Sequence, residues 1–228
     1  TQINILVGTI IASFQTGAVS YLYYADRVYQ LNLAIAGIAV GTVMLPELSK
    51  YIKKNNYEQV TNLQNRALEL SLFLSIPAAV ALVLAANEII TSLFGYGSFN
   101  IESVNNTAIA LTFFALGVPA FSILKIFSNF FFARNNTKLP FYLSVISVIL
   151  NILISVSFFS KIGFVIIPIA TSISSWVNVS LYYYFIKKGN LHNFDSKFFY
   201  KFPRIILSAV VMGATLYLLL GFFSPKFD

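Results

Sequence analysis

Long apolar runs almost free of charge constrain this chain more than anything else in it. They fall at about residues 3–21, 24–48, 67–86, 103–133, 140–159, 164–186 and 202–223. A helix needs about 20 apolar residues to cross a hydrocarbon layer of roughly 30 Å. Inside that layer backbone groups must find partners within their own segment, which a helix provides. The chain therefore reads as an all-α integral membrane protein with seven crossings. Its composition leaves little room for another class. Charged residues make up 10% of the 228 residues and apolar ones 57%, whereas a soluble domain carries about 25% charged residues.

Pro119 falls inside the fourth run and is expected to kink it, because proline removes a helical hydrogen bond and clashes with the preceding turn. Pro77 and Pro168 are expected to act in the same way. The chain starts without Met, shows no charged n-region before its first run, and ends just after an apolar run. It therefore reads as part of a longer protein without a signal peptide here.

The polar connections set the orientation. Lys50, Lys53, Lys54, Arg66, Arg134, Lys138, Lys187, Lys188, Lys197, Lys201 and Arg204 all fall on one side, eleven of the fifteen basic residues. The opposite connections hold only Lys161 and Lys226, and the longest of them, 87–106, has Glu88 and Glu102 with no Lys or Arg. Lys and Arg accumulate in cytoplasmic loops, so the first end of the chain is expected in the cytoplasm and the last outside. The net charge of +7 could suggest nucleic acid. The basic residues sit at the ends of apolar runs rather than in a patch, and no nucleic-acid partner is expected.

Two cations remain, Arg27 and Lys125, both within apolar runs. Such residues normally turn toward a partner or a wet cavity. Arg27, Gln30, Ala34, Gly37 and Gly41 recur at helical spacing as one polar and small stripe, with Asp26 beside Arg27 as a local partner. Lys125 has Ser122 and Asn129 on its face; bonds to nearby carbonyls are the alternative to a cavity role. Further seams run through Gln2, Thr9, Ser13, Thr16 and Ser20, through Ser144, Ser147, Asn151 and Ser155, and through Thr171, Ser174, Asn178 and Tyr182. Any one seam suits helix packing. Several seams and two cations together suggest a polar, positively charged cavity for an anionic substrate.

The inventory disfavours catalysis. There is no cysteine, no HExxH, no GxSxG, no phosphate-loop lysine motif and no intramembrane carboxylate pair. No cofactor or metal is expected. His192 is the one histidine, and its polar surroundings suggest a solvated loop residue.

Particular motifs narrow the class further. Tyr23-Tyr24-Ala25-Asp26-Arg27, followed by the stretch from Gly37 through Gly41-Thr42 and Leu45-Pro46 to Ser49, resembles the MurJ (MviN) family of lipid II flippases, in the MOP exporter superfamily. Ser75-Ile76-Pro77-Ala78-Ala79, Leu93-Phe94-Gly95-Tyr96-Gly97, the stretch from Phe132 through Arg134 to Pro140, and Ile169-Ala170-Thr171-Ser172 resemble later family motifs in the same order.

The resemblance implies a six-helix transporter lobe over residues 1–188, a cytoplasmic linker at 189–201 and an additional transmembrane helix at 202–228. It implies the second of two lobes, the first lying outside this chain, in the bacterial cytoplasmic (inner) membrane. The implied activity is movement of an undecaprenyl-pyrophosphate-linked peptidoglycan precursor by alternating access. A related polysaccharide-lipid or multidrug exporter is the alternative; a membrane-embedded glycosyltransferase and a lobe that packs but moves nothing are more distant ones.

Carried over by the resemblance, Arg27 is a substrate contact oriented by Asp26, with Gln30 on its face and Lys125 as a second contact. Some family members hold sodium here with an aspartate at the position of Gly8. Asn151, Ser155 and Thr171 match the rest of that neighbourhood, which without the carboxylate is a weak cation candidate.

Overall fold

The computed structural model describes residues 2–192 and 196–223, and among them every regular element is a helix. Residues 193–195 of the expected linker, Lys226, and the side chains of Gln2 and Lys197 lie outside the described residues.

Helix α1 (Gln2–Ala12) is followed by a turn and by α2 (Ala18–Leu33), which runs through a π-helical stretch (Ala34–Ala39) into α3 (Val40–Lys53). The first interruption thus lies at residues 13–17, not at 21–24 as the apolar pattern suggests. Gly17 carries it with φ 79°, a left-handed conformation that glycine adopts at no steric cost. Gln15 Oε1 then accepts from the Phe164 N–H at 2.8 Å, tying this turn to a second turn far along the chain. The turn itself is the polar stretch Ser13-Phe14-Gln15-Thr16-Gly17, but apolar residues resume after it at Ala18, Val19 and Leu22, so a reading by span length ran through it and placed the boundary late.

Helix α4 (Tyr57–Leu84) starts under an Asn56 cap that accepts from Gln59 N–H, and α5 (Ala86–Phe94) follows directly. The fourth apolar run is two helices, α6 (Ile101–Ala115) and α7 (Val118–Phe132), bent by 43°. Pro119 lies in the first turn of α7, where its missing N–H ends α6 without loss to α7. Pro168 is placed as Pro119 is, and Pro77 is not. Pro77 lies inside an uninterrupted α4, and Pro168 occupies the first turn of α9 (Ile166–Lys188), so neither breaks a helix.

Helix α8 (Lys138–Ile162) reaches α9 through a 3₁₀ turn, Gly163–Val165. Continuous helix over Lys138–Lys188 would be about 77 Å long at 1.5 Å per residue. Instead, Asn151 bonds Thr171 at 3.0 Å and Ser147 bonds the Ser174 carbonyl at 3.3 Å. Those pairs approach each other as numbering advances on one helix and retreats on the other, which makes α8 and α9 an antiparallel hairpin. Helix α10 (Ser196–Phe223) runs parallel to α4, since Lys201 meets Glu69 while Gly213 lies against Val80 and Leu84.

Four stretches are long and apolar enough to cross a membrane, Ala18–Lys53, Tyr57–Leu84, Lys138–Lys188 and Tyr200–Phe222, and the bent α6–α7 pair can be a fifth. The third of these is the hairpin. Two apolar cores hold the bundle. One gathers Leu22, Ile90, Leu111 and Phe164 near the 13–17 turn, and the other gathers Leu48, Leu68, Phe130 and Ile186 near the basic loops. Large apolar side chains cover the outside, with Leu153, Val156 and Leu218 all more than half exposed. That surface suits lipid.

Candidate functional site

Arg27 sits two to three turns into α2 and is exposed. Its guanidinium lies over the Tyr23 ring, 4.8 Å from the centroid, one turn back on the same face. Such a contact stabilises a cation by about 0.5–1 kcal/mol without removing its charge. Asp26 is not its ion-pair partner. The Asp26 carboxylate is half-buried, accepts a hydrogen bond from Gln30 Nε2, and faces the Tyr29 hydroxyl. Among the described residues the only ion pair is Lys201–Glu69, far from this helix. Arg27 therefore offers its five donors outward, with no carboxylate holding them.

The stripe expected through Gln30, Ala34, Gly37 and Gly41 does not remain on one face. Ala34 is exposed while Gly37 and Gly41 are buried. The π-helical stretch between them widens the turn and shifts the register that a 3.6-residue period would keep. Beyond it the small residues let α7 approach. A Cβ on Gly37 would lie 3.3 Å from Ser122 Cα, and one on Gly41 would lie 2.8 Å from Asn129 Nδ2. Asn129 instead donates to the Gly41 carbonyl at 2.8 Å. The face that Arg27 shares carries Tyr23, Leu31 and Ile35, all exposed.

Lys125 is also exposed, and its stem packs where a Cβ on Gly37 would come within 3.4 Å of it. Its ammonium bonds no neighbouring carbonyl among the described residues. Ser122 is fully buried and Asn129 is bonded to Gly41, so neither accompanies Lys125 on an open face. Ten residues separate Gly37 from Arg27, an axial rise of roughly 15 Å. Arg27 and Lys125 thus occupy different levels rather than one cluster.

The seams on α8 and α9 face each other. Asn151 Nδ2 donates to Thr171 Oγ1, and Thr171 Oγ1 donates to the Ile167 carbonyl at 2.8 Å. Ser155 is buried with its hydroxyl unpaired among the described residues. The expected cavity lining is here a helix–helix joint. The Asn151, Ser155 and Thr171 cluster has Gly8 close by through Ile167. Among the described residues no group of His, Cys, Asp or Glu could hold a metal.

His192 corrects another expectation. It is only 6% exposed, with Nδ1 2.9 Å from Oε1 of the fully buried Gln64 and its ring 5.4 Å from that of Phe130. Burial, helped by the nearby Arg134 charge, pushes its pKa down from 6.5 to about 4. Arg134 bonds the Phe130 and Leu191 carbonyls at 2.7 and 2.9 Å, so the polar segment after α9 is fastened to α4 and α7. Polar neighbours in sequence made it look solvated; the partners that bury it are 60 to 130 residues away.

The model of the family described as lipid II flippase MurJ matches residues 1–228. This chain belongs to the lipid II flippase MurJ family. A probable lipid II flippase MurJ from Rhizobium meliloti (strain 1021) is 40% identical over 217 residues, covering 95% of this chain and 41% of the relative. One from Rickettsia prowazekii (strain Madrid E) is 36% identical over 84% of this chain and 38% of its own length.

A solved structure described as lipid II flippase MurJ, inward closed conformation, superposes with a TM-score of 0.79 at 27% identity, over 100% of this chain and 52% of the other. The chain thus spans about half or less of its MurJ relatives. The fold is that of a multi-pass membrane transporter of the MurJ type, and the exporter alternative gains no support.

Proposed function

We propose that this chain is the second lobe and one following helix of a lipid II flippase. In this reading it moves an undecaprenyl-pyrophosphate-linked peptidoglycan precursor across the bacterial cytoplasmic membrane together with a first lobe. Lobe residues are assigned to 1–188, the linker to 189–201 and the additional helix to 202–228. The end bearing Lys50, Lys53, Lys54, Arg134, Lys138, Lys187 and Lys188 lies in the cytoplasm, by the bias of basic loops.

The observation that carries the site is Arg27, exposed within the apolar stretch Ala18–Lys53, without a carboxylate partner among the described residues and held over Tyr23. An unneutralised guanidinium there is costly unless it meets an anion or water. The diphosphate of a polyprenyl lipid supplies that anion through charge-assisted, bidentate hydrogen bonds. Asp26, held by Gln30, orients the helix turn beside it, and Lys125 gives a second contact deeper along the route. Asn151, Ser155 and Thr171 remain the weak cation candidate.

In the full-length protein, Arg27→Ala abolishes growth support in a bacterium depleted of its own flippase, with membrane expression unchanged. Full growth of that variant would overturn the substrate role.

A further inference from the structure

At the basic end of the bundle, α4 and α10 enclose an open groove of about 410 Å³ with a charged rim and an apolar floor. Arg66 and Glu69 contribute from α4, and Lys201 and Arg204 from α10. Lys201 Nζ lies 2.6 Å from Glu69 Oε2, and this pair neutralises itself. Three cations against one carboxylate leave the rim at +2. Among the described residues neither Arg66 nor Arg204 has a carboxylate within ion-pair distance. Arg204 is fixed in place, its guanidinium 4.1 Å from the Tyr200 ring centroid and bonded to the Tyr200 hydroxyl at 2.6 Å.

Below the rim the groove is lined by Leu70, Phe73 and Ile205. Leu70 and Phe73 are about half exposed, at 48% and 55%, so the floor opens outward. Farther along α10, Leu207, Val210 and Val211 face outward as well. Two guanidiniums with no carboxylate partner among the described residues, above an apolar channel on helices long enough to cross a membrane, match an amphiphile with phosphate at one end and hydrocarbon at the other.

We propose that the α4–α10 groove binds an anionic phospholipid of the surrounding leaflet, its phosphate between Arg66 and Arg204 and one acyl chain along Leu70, Phe73 and Ile205. The site is separate from Arg27 and Lys125 and does not depend on the transport reading. It would fasten α10, otherwise joined to the bundle chiefly through α4, to the lipid around it.

The test is native mass spectrometry of the full-length protein in detergent, titrated with phosphatidylglycerol or phosphatidylcholine. The wild type retains phosphatidylglycerol about tenfold better, in keeping with two cations near a membrane surface. R66Q/R204Q loses that preference while R66K/R204K keeps most of it. E69Q, which frees Lys201, strengthens retention and serves if the double glutamine variant does not fold.

Equal retention of both lipids by the wild type overturns the proposal, as does an unchanged preference in R66Q/R204Q or no gain in E69Q. Displacement of phosphatidylglycerol by millimolar inorganic phosphate would overturn the lipid assignment in favour of a free-anion site. Selective loss of polyprenyl-pyrophosphate binding, with phosphatidylglycerol retained, would overturn it in favour of the transported substrate.

Discussion

His192 titrates where its surroundings matter most. The folded state holds its pKa near 4 against 6.5 when exposed, so the unfolded chain takes up a proton first as pH falls. The stability from keeping His192 neutral is complete above about pH 6.5 and is lost progressively down to about pH 4. A shift of that size is worth about 3 kcal/mol at most. The full-length protein should therefore melt at a lower temperature at pH 5 than at pH 7, and His192→Gln should flatten that interval. An equally steep loss in the variant would place the pH sensitivity elsewhere.

Gly41 makes a second residue-scale case. A methyl there would meet Asn129 Nδ2 at 2.8 Å and displace its bond to the Gly41 carbonyl. Gly41→Ala should cost about 0.6–1.7 kcal/mol, the range for interhelical hydrogen bonds in membranes, measurable as reduced thermal stability in detergent. A melting curve matching the wild type would remove the argument. Glycine at 37 and 41 was legible as a small-residue pattern in the sequence. That it closes a joint with α7, instead of continuing the Arg27 face, was not, because the π-helical stretch has no marker in hydropathy.

The bend between α6 and α7 shows what an element inherits from its neighbours. Gly117 N–H pairs with Phe114 O, leaving the Phe113 carbonyl without its usual helical partner. Ser172 Oγ on α9 takes that carbonyl at 2.6 Å, and Trp176 Nε1 takes the Leu116 carbonyl at 3.1 Å. An unpaired carbonyl in hydrocarbon is costly, so these two α9 donors lock the 43° bend. Ser172→Ala combined with Trp176→Phe should lower the melting temperature more than either change alone, whereas a double variant as stable as the wild type would show the bend to be self-supporting. Pro119 made the bend readable in advance. Pro168, like Pro119, sits in the first turn of a helix and takes away no intrahelical bond there, whereas Pro77 lies inside α4 without interrupting it.

At the scale of the whole molecule, apolar runs and basic loops disclosed a membrane bundle, and short motifs disclosed its family. The division of labour among polar seams lay beyond them. Helical spacing identifies which residues share a face but not what that face meets. The α8 and α9 seams meet each other, while Arg27 and Lys125 face outward at different levels.

The central claim is that Arg27 engages the diphosphate of the transported lipid, and direct binding tests it. Native mass spectrometry of the full-length protein with lipid II and with uncharged polyprenol should show Arg27→Ala weakening lipid II binding about tenfold, the loss of one charge-assisted contact, with polyprenol binding unchanged. Lipid II binding equal to that of the wild type would contradict the account.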